Sequence, residues 1–215
     1  MLSTEEGNVI MMKLYWSPRS RSFSALWLME ETGEPYERVL TDISKGAQKT
    51  PEYLAINPMG KVPALRHGDV IVTETAAICA YLADVFPQAG LAPPSGDPLR
   101  GPYYRWLFFA AGPVEAAASN RMLGFAVPQE RERMIGYGNY AAVIDTLDDA
   151  ISRGDYLVGG RFSAADVYVG SHIGFGMQFG TIEKRPAFER YWSVLSARPA
   201  ALRAKQIDDD LASAS

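Results

Sequence analysis

The segment from residue 57 to residue 75 constrains the fold of this chain more than any other. It contains two apolar runs, residues 62–65 and 70–72, on either side of a turn that contains a glycine. Short strand-like runs around such a turn predict a β-hairpin. Pro63 stands where the first strand should begin, which suits a residue that cannot donate a hydrogen bond within a sheet. A helix capped by Thr75 should follow, because the next residues are apolar at helical spacing.

The predicted helix start has the chemistry of a small-molecule site. Its free backbone N–H groups would lie next to the carboxylate of Glu74 and the hydroxyl of Thr75. Such a group of donors and acceptors suits a ligand that carries both an ammonium and a carboxylate.

The whole segment resembles the cytosolic glutathione transferases. Members of that family carry an N-P-x-G-x-V-P-x-L segment and a later E-[ST] pair, and this chain has both at the family's spacing. The resemblance implies that the backbone of Val62 and a cis Pro63 hold the cysteinyl part of glutathione. It also implies that Glu74 and Thr75 hold the γ-glutamyl end. An ordinary hairpin before a capped helix would explain any one of these residues, but not all four in order.

The residues before the hairpin extend the same domain. Residues 9–16 form a mostly apolar run of strand length, and residues 36–40 predict a second strand. A helix that ends at Gly33 lies between them. Strand, helix and strand in that order predict a parallel βαβ unit. With a short helix near residues 51–54, the order becomes β-α-β-α-β-β-α, which is that of the thioredoxin-like domain of this family.

The rest of the chain predicts an all-helical second domain. Residues 87–98 are rich in proline and glycine and indicate a linker. Helical patterns follow over residues 99–122 (with a bend at Gly112-Pro113), 128–152, 163–179 and 186–197. The fold class is therefore α/β plus all-α. Its parts are a thioredoxin-like domain over residues 1–86 with residues 1–8 as a loose tail, the linker, and a helical domain over residues 99–215.

Two acidic features of the second domain carry structural predictions. Ser163 and Asp166 fit a capping box, with aspartate where glutamate is usual. Residues 160–166 also resemble the capping segment in the helical domain of the same family, so we expect a structural rather than a catalytic role. Residues 208–210 are three consecutive aspartates, which suggests a frayed, acidic end.

Composition excludes several classes of function. The formal net charge of −4 provides no basic field to attract nucleic acid or an anionic membrane surface. The single cysteine, Cys79, excludes an intrachain disulfide and a C-x-x-C redox pair. The two histidines lie far apart in sequence without ligand spacing, so we expect no metal site. Residues 1–8 lack the apolar core of a signal peptide, and no run approaches the roughly 20 apolar residues of a membrane span. We therefore expect a cytoplasmic protein.

The chemistry that the resemblance implies is stabilisation of a thiolate. The pKa of glutathione's thiol is close to that of free cysteine, about 8.5. Lowering it by about two units requires roughly 2.7 kcal/mol. A charge-assisted hydrogen bond supplies about 1.5–3 kcal/mol, and a helix N-terminus adds about 0.3–1 kcal/mol. One hydroxyl at the start of the first helix is therefore enough.

Ser20 is our candidate for that hydroxyl. In this family the donor is a tyrosine, a serine or a cysteine in the first turn, and Pro18-Arg19-Ser20 falls where serine-type classes carry P-G-S. The rivals are Ser17, Ser22, Tyr15 and Arg21, the last at the position where some bacterial classes place their cysteine. Capping of the first helix is a competing role for Ser20 and Ser22.

Two cations in the same turn point to an anion. Arg19 and Arg21 oppose the helix macrodipole, which makes sense if a thiolate or an acidic substrate lies beside them. The alternative is that both side chains reach solvent or acidic partners.

The remaining site residues follow from the resemblance. Gln48 lies near positions that reach the glycine carboxylate of glutathione in related classes, although an exposed polar residue would look the same. The electrophile should lie between the first turn and the bent helix, where Trp16, Tyr104 and Phe108 are candidates. Aromatic residues at such spacing are also common in cores.

The resemblance implies a homodimeric transferase that conjugates glutathione to a small hydrophobic electrophile. Isomerisation, dehalogenation or ether cleavage on the same fold are alternative reactions, and a protein that binds glutathione or apolar ligands without turnover is an alternative class. A thiol–disulfide oxidoreductase is disfavoured, because Cys79 falls inside the third predicted helix.

Overall fold

The structure, a computed structural model, describes residues 11–213 and is built on a four-stranded sheet in the order β2-β1-β3-β4. The strands are β1 (Met12–Trp16), β2 (Tyr36–Leu40), β3 (Ala64–His67) and β4 (Val70–Thr73). β2 is parallel to β1, whereas β3 is antiparallel to both β1 and β4. The predicted βαβ unit and hairpin are therefore both present. The predicted tail over residues 1–8 lies outside the described residues.

Three helices belong to the sheet region: α1 (Phe23–Thr32), α2 (Pro51–Leu54) and α3 (Thr75–Val85). α1 ends at Gly33, whose φ of 71° lies in the left-handed region that glycine adopts without steric cost. α1 packs against β1, α3 and helices of the second half of the chain, so nearly all of its surface is buried. The predicted threonine cap of α3 is wrong: Glu74 occupies the N-cap position and Thr75 is the first helical residue.

Six α-helices follow residue 99 in the described part of the chain. They are α4 (Arg100–Phe109), α5 (Glu115–Met122), α6 (Tyr140–Ile151), α7 (Ala164–Phe179), α8 (Pro186–Ser196) and α9 (Pro199–Ser213). A π-helical turn, Ala110–Val114, joins α4 to α5 and contains Gly112 and Pro113, so the chain deviates from a regular α-helix where a bend was predicted. The wider turn suits Pro113, which has no N–H to donate.

Two of the helical predictions were wrong in detail. Residues 128–139 do not begin a long helix. They contain a 3₁₀ segment, Gln129–Met134, and α6 starts only after Asn139, whose side chain accepts a hydrogen bond from the Ala142 N–H at 2.9 Å. The predicted frayed end is also wrong, because residues 208–210 lie within α9 and α9 packs along α1.

α7 is the central helix of the helical region, and Asp166 fixes its start. The predicted capping box with Ser163 is present. The fully buried Asp166 carboxylate accepts hydrogen bonds from the Ser163 N–H, the Leu157 N–H and the Tyr191 hydroxyl, each at 2.8 Å. One carboxylate thus anchors α7, the preceding loop and α8. Ion pairs of Arg198 with Glu31 and of Arg203 with Glu30 link the chain around α9 to α1.

Candidate functional site

The first turn, which we define as residues 17–22 between β1 and α1, contains a network of serine hydroxyls. The buried Ser22 hydroxyl donates to the Ser17 carbonyl oxygen at 2.8 Å and accepts from the Ser17 N–H at 3.0 Å. Ser22 occupies the N-cap position of α1, but its side chain makes no capping bond. The hydroxyl of Ser22 therefore holds the turn closed.

The hydrogen bonds of the Ser20 hydroxyl contribute less to holding the turn than those of the Ser22 hydroxyl. Its half-buried hydroxyl lies 2.7 Å from the Ser17 carbonyl oxygen and 2.6 Å from the Ser22 hydroxyl, and it accepts the Ser22 N–H at 3.2 Å. The Ser17 carbonyl oxygen already receives the Ser22 hydroxyl. Because a hydroxyl proton rotates freely about the C–O bond, the Ser20 proton can turn towards a ligand without leaving that carbonyl unpaired.

A first cavity of about 290 Å³ lies beside this turn. Its wall combines the segment before β3 with the start of α3. The lining residues are Arg21, Asn57, Lys61, Val62, Pro63, Glu74, Thr75, Ala76, Ala111, Glu115 and Tyr168. The Val62–Pro63 peptide bond is cis. Glu74 has a φ of 65°, an uncommon conformation for a residue with a side chain and one that concentrates at functional sites.

A second cavity, of about 200 Å³, adjoins the first. Arg21, Glu115 and Tyr168 line both cavities. The other lining residues of the second are Arg19, Ser20, Ser24, Ala118, Met122, Ser171, His172, Phe175, Gly176, Phe179 and Thr181. Most of this wall is apolar, and the ring of Phe175 stacks on that of Phe179 with centroids 6.4 Å apart. The second cavity therefore suits a small aromatic or aliphatic molecule.

An ion pair lies where the cavities meet. Arg21 binds Glu115 through two hydrogen bonds, and the Nε–Oε2 distance is 3.0 Å. Burial raises the pKa of Glu115, but the hydrogen bond and charge of Arg21 outweigh it, and the net pKa is lowered. His172 Nδ1 lies 3.8 Å from the same carboxylate. Burial lowers the pKa of His172 to about 4, so its imidazole is neutral at pH 7.

Comparison with known proteins identifies the family. The family model "Glutathione S-transferase, N-terminal domain" matches residues 11–84. A glutathione S-transferase of Hypomyces subiculosus is 30% identical over 210 residues, which span 91% of this chain and 98% of that protein. The chain belongs to the glutathione S-transferase family.

Two solved structures of glutathione transferases extend this finding. A homologue from Sulfitobacter with bound glutathione is 32% identical, with a TM-score of 0.75 over 92% of this chain and 98% of the other. A sphingomonad enzyme complexed with glutathione is 29% identical, with a TM-score of 0.76 over the same shares of the two chains. Glutathione is thus the co-substrate, and the thioredoxin-like fold with a helical second half is that of the family.

The structure brings together four of the residues predicted to bind glutathione. Val62, Pro63, Glu74 and Thr75 all line the first cavity. Gln48 does not: its amide nitrogen lies 3.4 Å from the Ile43 carbonyl oxygen, outside the cavity wall. No group of three or more histidine, cysteine, aspartate or glutamate side chains within residues 11–213 could hold a metal ion.

The aromatic candidates for the electrophile site lie elsewhere. Trp16 is fully buried in the core, because β1 alternates its side chains and Trp16 shares the inner face with Leu14. Tyr104 and Phe108 are 37% and 67% exposed on α4. None of the three lines either cavity. Tyr15, a rival to Ser20, is also absent from both walls and contacts the ring of Tyr53.

Several lining residues were missed from the sequence. Glu115, Tyr168, His172 and Phe175 belong to α5 and α7, which reach the first turn only through tertiary packing. A signal existed for Lys61, because it lies inside the segment that predicts the glutathione site. Glu115 also follows shortly after the predicted bend, and a carboxylate there is the acidic partner that one interpretation of Arg21 required.

Proposed function

We propose that this transferase stabilises the thiolate of glutathione with the Ser20 hydroxyl and that the thiolate attacks a hydrophobic electrophile in the second cavity, so that glutathione becomes bonded to the electrophile through sulfur. The observation that carries the proposal is the shared wall: Arg21, Glu115 and Tyr168 line both cavities, and Ser20 lies in the second next to Arg21. A tripeptide in the first cavity would thus present its central sulfur to a molecule in the second. This arrangement converts a bimolecular reaction into one between adjacent bound groups.

The first cavity offers complementary charge for each end of glutathione. The Glu74 carboxylate would accept hydrogen bonds from the γ-glutamyl ammonium. The hydroxyl and N–H of Thr75, at the start of α3, would donate hydrogen bonds to the adjacent carboxylate. The backbone of Val62, before Pro63, would pair with the cysteinyl part. Lys61 lines the cavity and provides a cation for the glycine carboxylate, whereas Gln48 would have to move to reach it.

The second cavity determines the class of electrophile. Phe175 and Phe179 form an aromatic wall, and Met122 from α5 adds a flexible apolar side chain. A flat, apolar electrophile would bury its surface there. Together with the Ser20 hydroxyl, Arg21 would stabilise the negative charge on the sulfur before the sulfur attacks the electrophile. The pairing of Arg21 with Glu115 limits this contribution.

Initial rates with glutathione and a panel of apolar electrophiles test this proposal. The panel should contain an aryl halide, an epoxide and an unsaturated ketone. We expect turnover above the uncatalysed rate with at least one of them, and lower affinity for that compound in Phe175→Ser. Wild-type protein that binds glutathione but forms no thiolate at neutral pH would overturn the proposal.

We further propose that the protein is a cytoplasmic homodimer. Tyr104 and Phe108 form an exposed aromatic pair on α4, with ring centroids 6.4 Å apart, and burial against a second copy would remove this apolar surface from water. Among residues 11–213, no helix has the length and apolar character needed to cross a membrane.

A further inference from the structure

A carboxylate from the end of the chain binds the backbone of the first turn. Both side-chain oxygens of Asp208, in α9, accept the N–H of Arg19, at 3.2 Å and 3.1 Å. The two residues are 189 positions apart in sequence. Asp208 is 7% exposed, although its neighbours Asp209 and Asp210 are exposed. Asp208, the first of the three, lies four residues after the buried Ala204 and so on the same face of α9. A buried carboxylate needs a hydrogen-bond partner, and the Arg19 N–H provides one.

The backbone of Arg19 needs such a contact. Its φ is 52°, in the left-handed region that glycine adopts freely and that residues with a β-carbon avoid. Within the described residues, Glu74 is the only other non-glycine residue with a positive φ. The Arg19 conformation also determines where the next residue points, and the next residue is Ser20. An interaction that favours the left-handed conformation of Arg19 therefore favours the present position of the Ser20 hydroxyl.

We propose that Asp208 is a positioning residue for Ser20: by accepting the Arg19 N–H, it holds the first turn in the conformation that presents the Ser20 hydroxyl to the sulfur of glutathione. This inference rests on the proposed function. The proposal assigns to α9 a role in the reaction, although Asp208 lines neither cavity.

The pKa of the bound thiol distinguishes this positioning role from a direct electrostatic role of the Asp208 carboxylate. A carboxylate near the first turn repels a thiolate, so if Asp208 acted by its charge, removing the charge would lower the pKa of the bound thiol. If Asp208 acts by holding the turn, removing the hydrogen bond misplaces the Ser20 hydroxyl and raises that pKa. The two roles predict shifts of opposite sign.

Three variants separate these effects. Asp208→Ala removes both the charge and the acceptor, whereas Asp208→Asn removes the charge but keeps an oxygen that can accept the Arg19 N–H. Asp210→Ala is the matched control, because it removes the same charge from an exposed position in the same helix. For each variant we would measure the pKa of bound glutathione from thiolate absorbance, together with kcat and the KM for glutathione.

We expect Asp208→Ala to raise the thiol pKa and to lower kcat by about 10–10²-fold, the size of effect that a misplaced catalytic group produces. The KM for glutathione should change little, because the first cavity is untouched. Asp208→Asn should recover most of the activity with a thiol pKa at or below that of wild type. An Asp208→Ala enzyme with a wild-type or lower thiol pKa would overturn the proposal.

A second measurement tests the link between Asp208 and the backbone conformation of Arg19. Glycine at position 19 adopts a positive φ without cost, so the turn should depend less on Asp208 in an Arg19→Gly background. We expect Asp208→Asn and Asp208→Ala to differ less in kcat in that background than in wild type. An equal difference in both backgrounds would contradict the proposed link between Asp208 and the Arg19 conformation.

Hydrogen exchange separates this inference from the proposed function. The Arg19 amide should exchange slowly in wild type and rapidly in Asp208→Ala, whether or not Ser20 stabilises the thiolate. If that amide exchanges rapidly in wild type, the Asp208 contact does not hold the turn and this inference fails alone. If wild type forms no bound thiolate, the proposed function fails, and the positioning role for Ser20 fails with it even when the amide is protected.

Discussion

Arg21 has two neighbours that decide how its charge is used. Glu115 pairs with it directly, and the neutral His172 lies 3.8 Å from the same Glu115 carboxylate. A glutathione thiolate beside Arg21 would compete with Glu115 for the guanidinium. Ser20, in contrast, makes hydrogen bonds that rearrange by rotation of one proton. At the scale of single residues, the Ser20 hydroxyl is therefore the donor that costs least to redirect.

Burial of His172 predicts a specific dependence of stability on pH. Its pKa is lowered from 6.5 to about 4 in the folded protein, so the unfolded chain binds the proton more tightly between these values. The free energy of unfolding should therefore fall as the pH drops through this range, by about 2 kcal/mol between roughly pH 7 and pH 5. Denaturant titrations at the two pH values measure it. In His172→Phe, the difference in the free energy of unfolding between pH 7 and pH 5 should be smaller by this amount. The same difference in the variant and in wild type would contradict the buried, neutral imidazole.

Glu74 provides a second prediction for a single residue. Its carboxylate should pair with the γ-glutamyl ammonium, so Glu74→Ala should weaken glutathione binding by about 2 kcal/mol. This is the lower end of the range for charge pairs, because Glu74 is exposed before the ligand binds. Calorimetry measures the affinity, with Glu52→Ala as the control from an exposed glutamate outside the cavities. Undiminished affinity in Glu74→Ala would contradict the assignment.

Secondary-structure elements differ in how far their local sequence determines them. β2 and α2 lie at the predicted residues, and Gly33 ends α1 as expected. A proline at the start of a helix and a glycine after its end are local signals. The local sequence does not determine which side chains of α4 face the core. Tyr103 and Trp106 face the core while Tyr104 and Phe108 face outwards, and all four are aromatic, so their pattern could not distinguish the two faces.

The start of α7 provides a prediction for an element. Asp166→Ala should lower the free energy of unfolding by about 3 kcal/mol or more, because it leaves buried donors of Ser163, Leu157 and Tyr191 without their acceptor. Ser163→Ala should cost only about 0.5–2 kcal/mol. Equilibrium denaturation of both variants gives the comparison.

Glutathione affinity should be nearly unchanged in folded Ser163→Ala protein. A large loss of affinity there would show that the capping segment is more than structural. Equal stability losses in the two variants would contradict the central role of the Asp166 carboxylate.

The site as a whole depends on contacts between distant parts of the chain. The four predicted glutathione residues that line the first cavity lie within one continuous segment, so a family motif was enough to predict that they lie together. The second cavity combines the first turn with α5 and α7, and Asp208 reaches the same turn from α9. No local pattern in α7 or α9 indicates which face meets the first turn. For that reason the sequence-based predictions were an electrophile site beside aromatic residues of α4 and a frayed end at residues 208–210.

The proposed dimer is a prediction for the whole molecule. If the exposed aromatic pair on α4 contacts a second copy, Phe108→Asp should convert the dimer to a monomer, because it introduces a charge into an apolar contact. Light scattering at micromolar concentration measures the mass. Phe179→Asp is the control, since Phe179 is equally exposed, at 68%, but lies beside the second cavity. A monomeric wild-type protein, or a dimeric Phe108→Asp variant, would contradict this interface.

Titration of the bound thiol in Ser20→Ala and Arg21→Ala tests the central claim most directly. The absorbance of the thiolate, recorded against pH in the presence of saturating glutathione, gives the pKa in each variant. We predict a raised pKa and a turnover about 10²–10³-fold lower in Ser20→Ala, with glutathione affinity nearly intact, and a smaller rise in Arg21→Ala. An unshifted pKa in Ser20→Ala, or a larger rise in Arg21→Ala than in Ser20→Ala, would contradict the claim that the Ser20 hydroxyl stabilises the glutathione thiolate.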